Sequence, residues 1–210
     1  MLARNRVAGT FYTLKGQLMQ SNKILWWIIC SAALLLSAGY TFYRPVAQLY
    51  RIKEGRIHFK SEAPLELIEA SSAKLKGLIK TDDQTFAFSV ANESFEGFNS
   101  ALQREHFNEN YMESTRYPNC TFAGKIIEPV DFSKDGTYTV RAKGKLAVHG
   151  VEVERIIKSA LTIKGGIITI QSEFIVPLQE HNITIPKIVY QKIAEEISVE
   201  INATLTPQQK

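Results

Sequence analysis

"TYTVRAKGKLAVH", residues 137–149, alternates between two kinds of side chain without a break. Tyr138, Val140, Ala142, Gly144, Leu146 and Val148 fall on one face, and Thr137, Thr139, Arg141, Lys143 and Lys145 on the other. A period of two belongs to an extended chain, whose successive side chains point to opposite sides. The stretch therefore reads as a strand with one buried and one wet face.

The same pattern recurs along the chain. "TFAFSV" puts Phe86, Phe88 and Val90 on one face; "ITIQSEFIV" does so with Ile168, Ile170, Ser172, Phe174 and Val176; "ISVEINATL" with Ile197, Val199, Ile201, Ala203 and Leu205. Weaker runs cover 56–62, 65–71, 73–80, 121–128 and 153–164. About nine strands result, joined by short connections such as "TDDQ", "SKDG" and "KGG". Short turns make neighbours antiparallel, because a parallel crossover needs a dozen residues or more. Strands with one apolar face must either close into a barrel or pack on a second sheet, and periodicity alone allows both.

Two segments depart from the alternation. Residues 98–107, "FNSALQREHF", have helical spacing, and the polar run that follows ends at Tyr117-Pro118, where a helix cannot continue. A long excursion between two strands sits across a barrel mouth more often than in its wall. Phe98, Leu102, Phe107 and Tyr111 are accordingly expected to form a lid, with Glu105, His106 and Glu109 turned to water. Residues 186–196, "PKIVYQKIAEE", open with a proline suited to a first helical turn, and Ile185, Val189, Ile193 and Ile197 recur every four residues. This predicts a second, short C-terminal helix braced on the sheet.

The charge is unevenly placed. The net charge of +4 comes with 25 basic and 21 acidic residues, and residues 1–45 hold Arg4, Arg6, Lys15, Lys23 and Arg44 with no acid. Without those five the balance is 20 against 21, which removes the case for nucleic acid. Ile24 to Gly39 is free of charge, follows Lys23, and ends in the small residues Ser37, Ala38 and Gly39. Such a segment reads as a secretory signal cleaved before Tyr40, with Met19 as an alternative start. Extended to Tyr43 it reaches the length of a membrane anchor, so residues 24–43 carry that second reading. The chain thus divides into a targeting segment, 1–44, and an exported domain, 45–210, in the periplasm or cell envelope. Membrane contact is expected only through the first segment if it is uncleaved. Cys30 belongs to that segment, and Cys120 alone in the domain has no partner for an internal disulfide.

Motifs of catalysis or metal binding are missing. There is no HExxH, no GxSxG and no glycine-rich phosphate loop ahead of a helix. His58, His106, His149 and His181 lack the paired spacing of metal ligands. His106 with Glu109, and His149 beyond them, supply the one acid–base alternative: an envelope enzyme. A structural or adhesive envelope protein is the third reading. No catalytic residue, metal or cofactor is expected.

Three stretches, "SFEGFNSALQREHFNENYMESTRYPNCTFAGKI" (94–126), "GKLAVHGVEVERI" (144–156) and "SEFIVPLQEHNITIP" (172–186), together resemble the YceI family of bacterial secreted lipid-binding proteins. The resemblance rests on a helix leading to Tyr117-Pro118 with Phe122 four residues on, and on Gly144, Leu146 and Gly150 in a later strand. It implies a lipocalin-like antiparallel β-barrel of about eight or nine strands with a helical insertion, whose apolar cavity holds an isoprenoid or other long-chain amphiphile. It implies binding rather than catalysis. The residues expected to line such a cavity are Phe86, Phe88, Val90, Tyr138, Val140, Leu146, Ile168, Ile170, Phe174, Val199 and Ile201. No basic cluster suited to a diphosphate head group stands out.

Overall fold

A computed structural model describes residues 48–208. The expected signal or anchor, Met19, Cys30 and the boundary near residue 45 lie outside the described residues. Among the described residues no helix is long and apolar enough to cross a membrane.

The strands are β1 (Leu49–Glu62), β2 (Leu67–Ser72), β3 (Lys76–Lys80), β4 (Thr85–Ala91), β5 (Asn119–Ile126), β6 (Gly136–Val148), β7 (Val151–Lys164), β8 (Ile167–Pro177) and β9 (Glu196–Pro207). Consecutive strands from β3 to β9 pair antiparallel, and β1 joins β9 to β3. Eight strands thereby close into a barrel, with β2 outside the ring on β1 alone. Closure satisfies the backbone groups that an open sheet leaves at its edges.

β1 shapes the interior. One edge follows β9 from Tyr50 to Lys60, with a bulge between Ile52 and Glu54. The other edge pairs with β3 only over Leu49–Arg51, then leaves it and pairs with β2 over Ile57–Glu62. The ring is therefore tight where β1 begins and splayed where it ends.

The connections follow the same polarity. At the tight end β3–β4, β5–β6 and β7–β8 are joined by 81–84, 127–135 and 165–166. At the splayed end lie the 92–118 insertion and the 178–195 segment, together with the two-residue turn His149–Gly150 between β6 and β7. His149 and Gly150 both have positive φ, 50° and 74°, as a primed two-residue hairpin turn requires.

Packing at the tight end is dense. Ile79, Leu161, Ile163, Ile168 and Leu205 are all but inaccessible to solvent and meet Tyr50, Phe86, Val140 and Ala203 in one cluster. The Phe86 ring stacks on Phe88 at 5.6 Å and tilts against Phe122 at 4.9 Å. Gln84 closes this end from outside: its side-chain amide donates to the carbonyls of Ile126 and Glu128 and its oxygen accepts from the Val130 amide at 2.7 Å. Where β5 crosses β6, Gly124 faces Gly144, and a Cβ on either would lie within 2.3 Å of the other strand's backbone. The missing side chains let the two backbones approach closely.

The insertion contains the one predicted helix of the 98–107 region, shortened to α1 (Ala101–His106). The Ser100 side chain accepts from the Gln103 amide at 3.1 Å, and the Gln103 side chain accepts from the Asn99 amide at 3.0 Å. This reciprocal capping starts the helix. One wider π-turn, Phe107–Tyr111, follows it. The helix predicted over 186–196 does not form: that segment makes one 3-10 turn, Lys187–Val189, and then irregular turns. Its four-residue spacing is satisfied differently, because Leu65 N–H donates to the Gln191 carbonyl and Ala194 N–H to Ser61 Oγ. Those bonds to the β1–β2 hairpin hold the segment against the barrel rim instead of along a helix axis.

Candidate lipid cavity

The splayed end encloses a cavity of about 450 Å³. Its walls come from alternate residues of four barrel strands: Ile57 and Phe59 of β1, Leu146 and Val148 of β6, Phe174 and Val176 of β8, and Ile197 and Val199 of β9, with Val90 closing the β4 side. Phe95, Phe98, Phe107 and Met112 roof it from the insertion, and Leu178, Ile183, Val189 and Ile193 from the 178–195 segment. Leu102, His106 and Lys192 line it and are themselves exposed, which marks where it opens to solvent.

Four phenylalanines fasten the roof to the wall. Phe59 stacks on Phe107 with centroids 5.4 Å apart, meets Phe95 at 5.4 Å and touches Phe98 edge-on at 5.9 Å. Aromatic contacts of this kind are each worth about 0.5–1.5 kcal/mol beyond area burial. Polar latches add to them: Gln103 donates to the Glu66 carboxylate at 3.0 Å and Asn99 to the Leu67 carbonyl at 2.8 Å.

The base of the insertion is pinned by Asn92, which is wholly buried. Its side chain donates to the Tyr117 carbonyl at 2.7 Å, its amide to the Pro118 carbonyl at 2.9 Å, and its oxygen accepts from the Cys120 thiol at 3.2 Å. The two ends of a 27-residue excursion, 92–118, are thus zipped together. Burial pushes the Cys120 thiol up to about 12, so it stays protonated and unreactive on the cavity wall.

Tyr117 ties this base to the β6–β7 turn. Its ring covers Gly150, where an added Cβ would lie 2.3 Å from the ring carbons. The His149 imidazole packs edge-on against Tyr117 at 5.0 Å and places Nδ1 3.1 Å from the His181 carbonyl and Nε2 3.1 Å from Glu113. That hydrogen bond holds the Glu113 carboxyl below its usual range. His181 is buried beneath, with Nδ1 3.1 Å from the Val151 carbonyl, and burial lowers its proton affinity. His149 is thus a brace between insertion and barrel.

The eleven residues expected to line a cavity separate into groups. Val90, Leu146, Phe174 and Val199 border the cavity. Phe86, Phe88, Val140, Ile170 and Ile201 border a void of about 50 Å³ in the tight half, room for water-sized molecules but no lipid chain. Phe174 borders both spaces and divides them. Ile168 and Tyr138 border neither: Ile168 is sealed in the core, and Tyr138 packs below the 127–135 connection with its hydroxyl directed at the Asp131 carbonyl. Bulky rings fill the tight half because the wall is narrow there. Of the expected lid, Phe98, Phe107 and Tyr111 border the cavity from above; Leu102 borders it but is 59% exposed rather than packed inward. Phe59, Phe95 and Val148, absent from the expected lining, belong to the site; the alternation of Ile57, Phe59 and Ser61 carried the signal for the first, and that of Leu146 and Val148 for the last.

The residues of the acid–base alternative have different surroundings. Glu105, His106 and Glu109 are exposed as expected, but His106 borders the cavity while Glu109 borders a shallow outer hollow with Glu105 and Arg104. Among the described residues no three His, Cys, Asp or Glu side chains are grouped to hold a metal ion.

A closed antiparallel barrel, packed at one end and hollow under a helical cover at the other, has the architecture of lipocalin-like binding barrels. The chain belongs to the YceI-like domain family, whose model matches residues 52–205. Its fold is shared with a polyisoprenoid binding domain from Saccharophagus degradans implicated in plant cell wall breakdown, at 14% identity and TM-score 0.64, covering 76% of this chain and 98% of that one. Burkholderia cenocepacia BcnA matches at 14% identity and TM-score 0.60, covering 71% and 95%. No curated protein sequence matches the chain.

Proposed function

We propose that the domain binds the hydrocarbon chain of an amphiphilic lipid, an isoprenoid by preference, in the cavity at the splayed end, and that it sequesters or carries this lipid without chemical change. The observation that carries the reading is the cavity itself: about 450 Å³, within the range of sites for small ligands, and walled by aliphatic and phenylalanine side chains. Apolar burial at roughly 25 cal/mol per Å² makes a few hundred Å² of covered chain enough for micromolar affinity after association costs. The isoprenoid preference draws support from the polyisoprenoid binding domain of S. degradans, which shares the fold. Glu66, Lys192 and His106 are the titratable side chains around the opening, and Gln103 already holds Glu66. One lysine and one carboxylate on the same opening suit a neutral or weakly polar head better than a diphosphate.

Export belongs to the same proposal. The acid-free basic flank and the apolar run of residues 24–39 favour delivery to the periplasm or cell envelope, with a mature start near Tyr40. N-terminal sequencing of envelope protein tests it, and an intact Met1 or Met19 in a membrane pellet would assign residues 24–43 to an anchor. For the cavity, the test is mass spectrometry of organic extracts from protein purified after native export. An isoprenoid or related amphiphile at near one per chain is expected. Lipid-free protein that also fails to take up a prenol or a prenyl quinone would overturn the reading.

A further inference from the structure

The 186–193 turn carries two large apolar side chains that stand mostly in water. Ile188 is 91% exposed and Tyr190 64% exposed, although Val189 between them turns into the cavity. The turn is well held, with Val189 N–H on the Pro186 carbonyl, Lys192 N–H on the Val189 carbonyl and the Gln191 carbonyl on Leu65 N–H. A held turn that points an isoleucine into water is an unsatisfied apolar surface, not a loose end. Leu65, bonded to the same turn, is 67% exposed, and Leu102 lies across the same opening. Lys187 and Lys192 flank Ile188 and Tyr190, and neither has an ion-pair partner among the described residues.

We propose that this rim, Leu65, Leu102, Ile188 and Tyr190 with Lys187 and Lys192, docks on a lipid bilayer so that the cavity opens directly onto the membrane surface. The proposal rests on the cavity reading. A chain too apolar to cross water leaves a bilayer most easily through an opening already seated in it, and this rim adjoins that opening: Leu102 and Lys192 line it, and Ile188 and Tyr190 flank Val189, which lines it too. The residue types match the layers met there. Ile188 and Leu65 suit the acyl boundary, a tyrosine suits the interface, and lysines reach lipid phosphates with their stems on apolar surface. Charge complementarity is local, since Glu66 lies at the same opening and Glu195 and Glu196 follow where the segment passes into β9. Apolar insertion therefore supplies most of the binding, and anionic lipid adds about five-fold per lysine. The chain enters β1 at the opposite, tight end, about 40 Å away along that strand. Lys164, at that end, therefore serves as the reference position for contact made by the rim.

The test uses the full chain with Cys30→Ser, labelled with an environment-sensitive fluorophore either at Ile188→Cys or, at the tight end, at Lys164→Cys. On vesicles of mixed phosphatidylcholine and phosphatidylglycerol, the label at 188 is expected to brighten several-fold with a blue shift, while that at 164 stays unchanged. Lys187→Gln should weaken binding to these vesicles about five-fold. Paired Ile188→Glu and Tyr190→Ser should slow lipid uptake from vesicles about ten-fold and leave the amount held at saturation intact. A response at 164 instead of 188, or at neither, overturns the proposal. So does a response at 188 without vesicles that grows with protein concentration, which would assign the rim to a second copy of the chain. Normal docking by protein that never holds lipid would sink the cavity reading and leave the rim standing.

Discussion

The two ends of the barrel are built from the same strands and the same alternation, yet one is solid and the other hollow. At the tight end Ile168 and Leu205 have no exposed surface and the residual void is about 50 Å³; at the splayed end Leu146, Phe174 and Val199 face about 450 Å³ of space. The side chains do not differ in kind. What differs is the wall. β1 holds β3 for three residue pairs and then turns to β2, so the ring widens, and two long connections bridge the gap instead of filling it. An apolar inward face is therefore a statement about water, and the wall's geometry decides between packing and binding.

Substitutions at the two ends should separate stability from binding. The largest effect is expected from Leu205→Ala, which deletes packed atoms at the tight end. It should lose about 2–5 kcal/mol in denaturant unfolding, with lipid per folded chain unchanged. Lipid loss in proportion to stability would dissolve the distinction between the ends.

Gly150→Ala comes next, at the joint between the ends of the insertion and the barrel. The new methyl group meets the Tyr117 ring, and φ of 74° is a conformation that alanine resists. A loss of about 1–3 kcal/mol is expected, with the insertion opening to hydrogen exchange before the tight half does. Uniform exchange across both halves would mean that the joint is not local.

Val148→Phe sharpens the comparison in the opposite sense. Extra volume in a packed core costs stability, but in a cavity it finds room, so the melting temperature should hold or rise by the equivalent of about 0.5–2 kcal/mol while lipid content falls. A stability loss like that of an overfilled core would place Val148 against a full wall.

Acid should loosen the splayed end first. His181 is held below its ordinary value by burial, so the unfolded chain takes up its proton earlier; stability is lost as pH falls from the usual histidine range, about 6.5, toward the lower folded value. Glu113, depressed chiefly by its bond to His149, adds a second loss as pH falls below the usual carboxylate range, about 4, through its own lowered value. The melting temperature of His181→Gln should fall less steeply as pH drops below about 6.5 than that of the parent chain. The smallest effect is expected of His106→Ala with Glu109→Ala: under about 0.5 kcal/mol and no change in lipid, as for solvated side chains. Abolished binding or release of a stoichiometric metal would restore the active-site reading.

Much of this was legible in advance, and the misses have physical causes. Period two located the strands and their inward faces because burial selects side chains by facing, and facing in a strand depends only on parity. Residues 186–196 misled because Val189, Ile193 and Ile197 do converge on one apolar surface, but across turns bonded to Leu65 and Ser61 instead of along a helix. Local spacing records that residues share a destination and not the path of the backbone between them. Leu102 belongs to the opening, a position in which an apolar side chain is neither core nor ordinary surface.

The sequence by itself determined the antiparallel strands, their apolar and polar faces, the helical excursion that ends at Tyr117-Pro118, and the family. Only the tertiary structure decided that Phe86, Val140 and Ile170 pack while Val90, Leu146 and Val199 line a cavity, and that His149 braces Glu113 instead of joining His106. Periodicity is a property of neighbours along the chain, which the sequence holds in full. Hollowness depends on how far apart β1 and β3 stand once the ring has closed, and that distance is set by pairings between residues far apart in sequence.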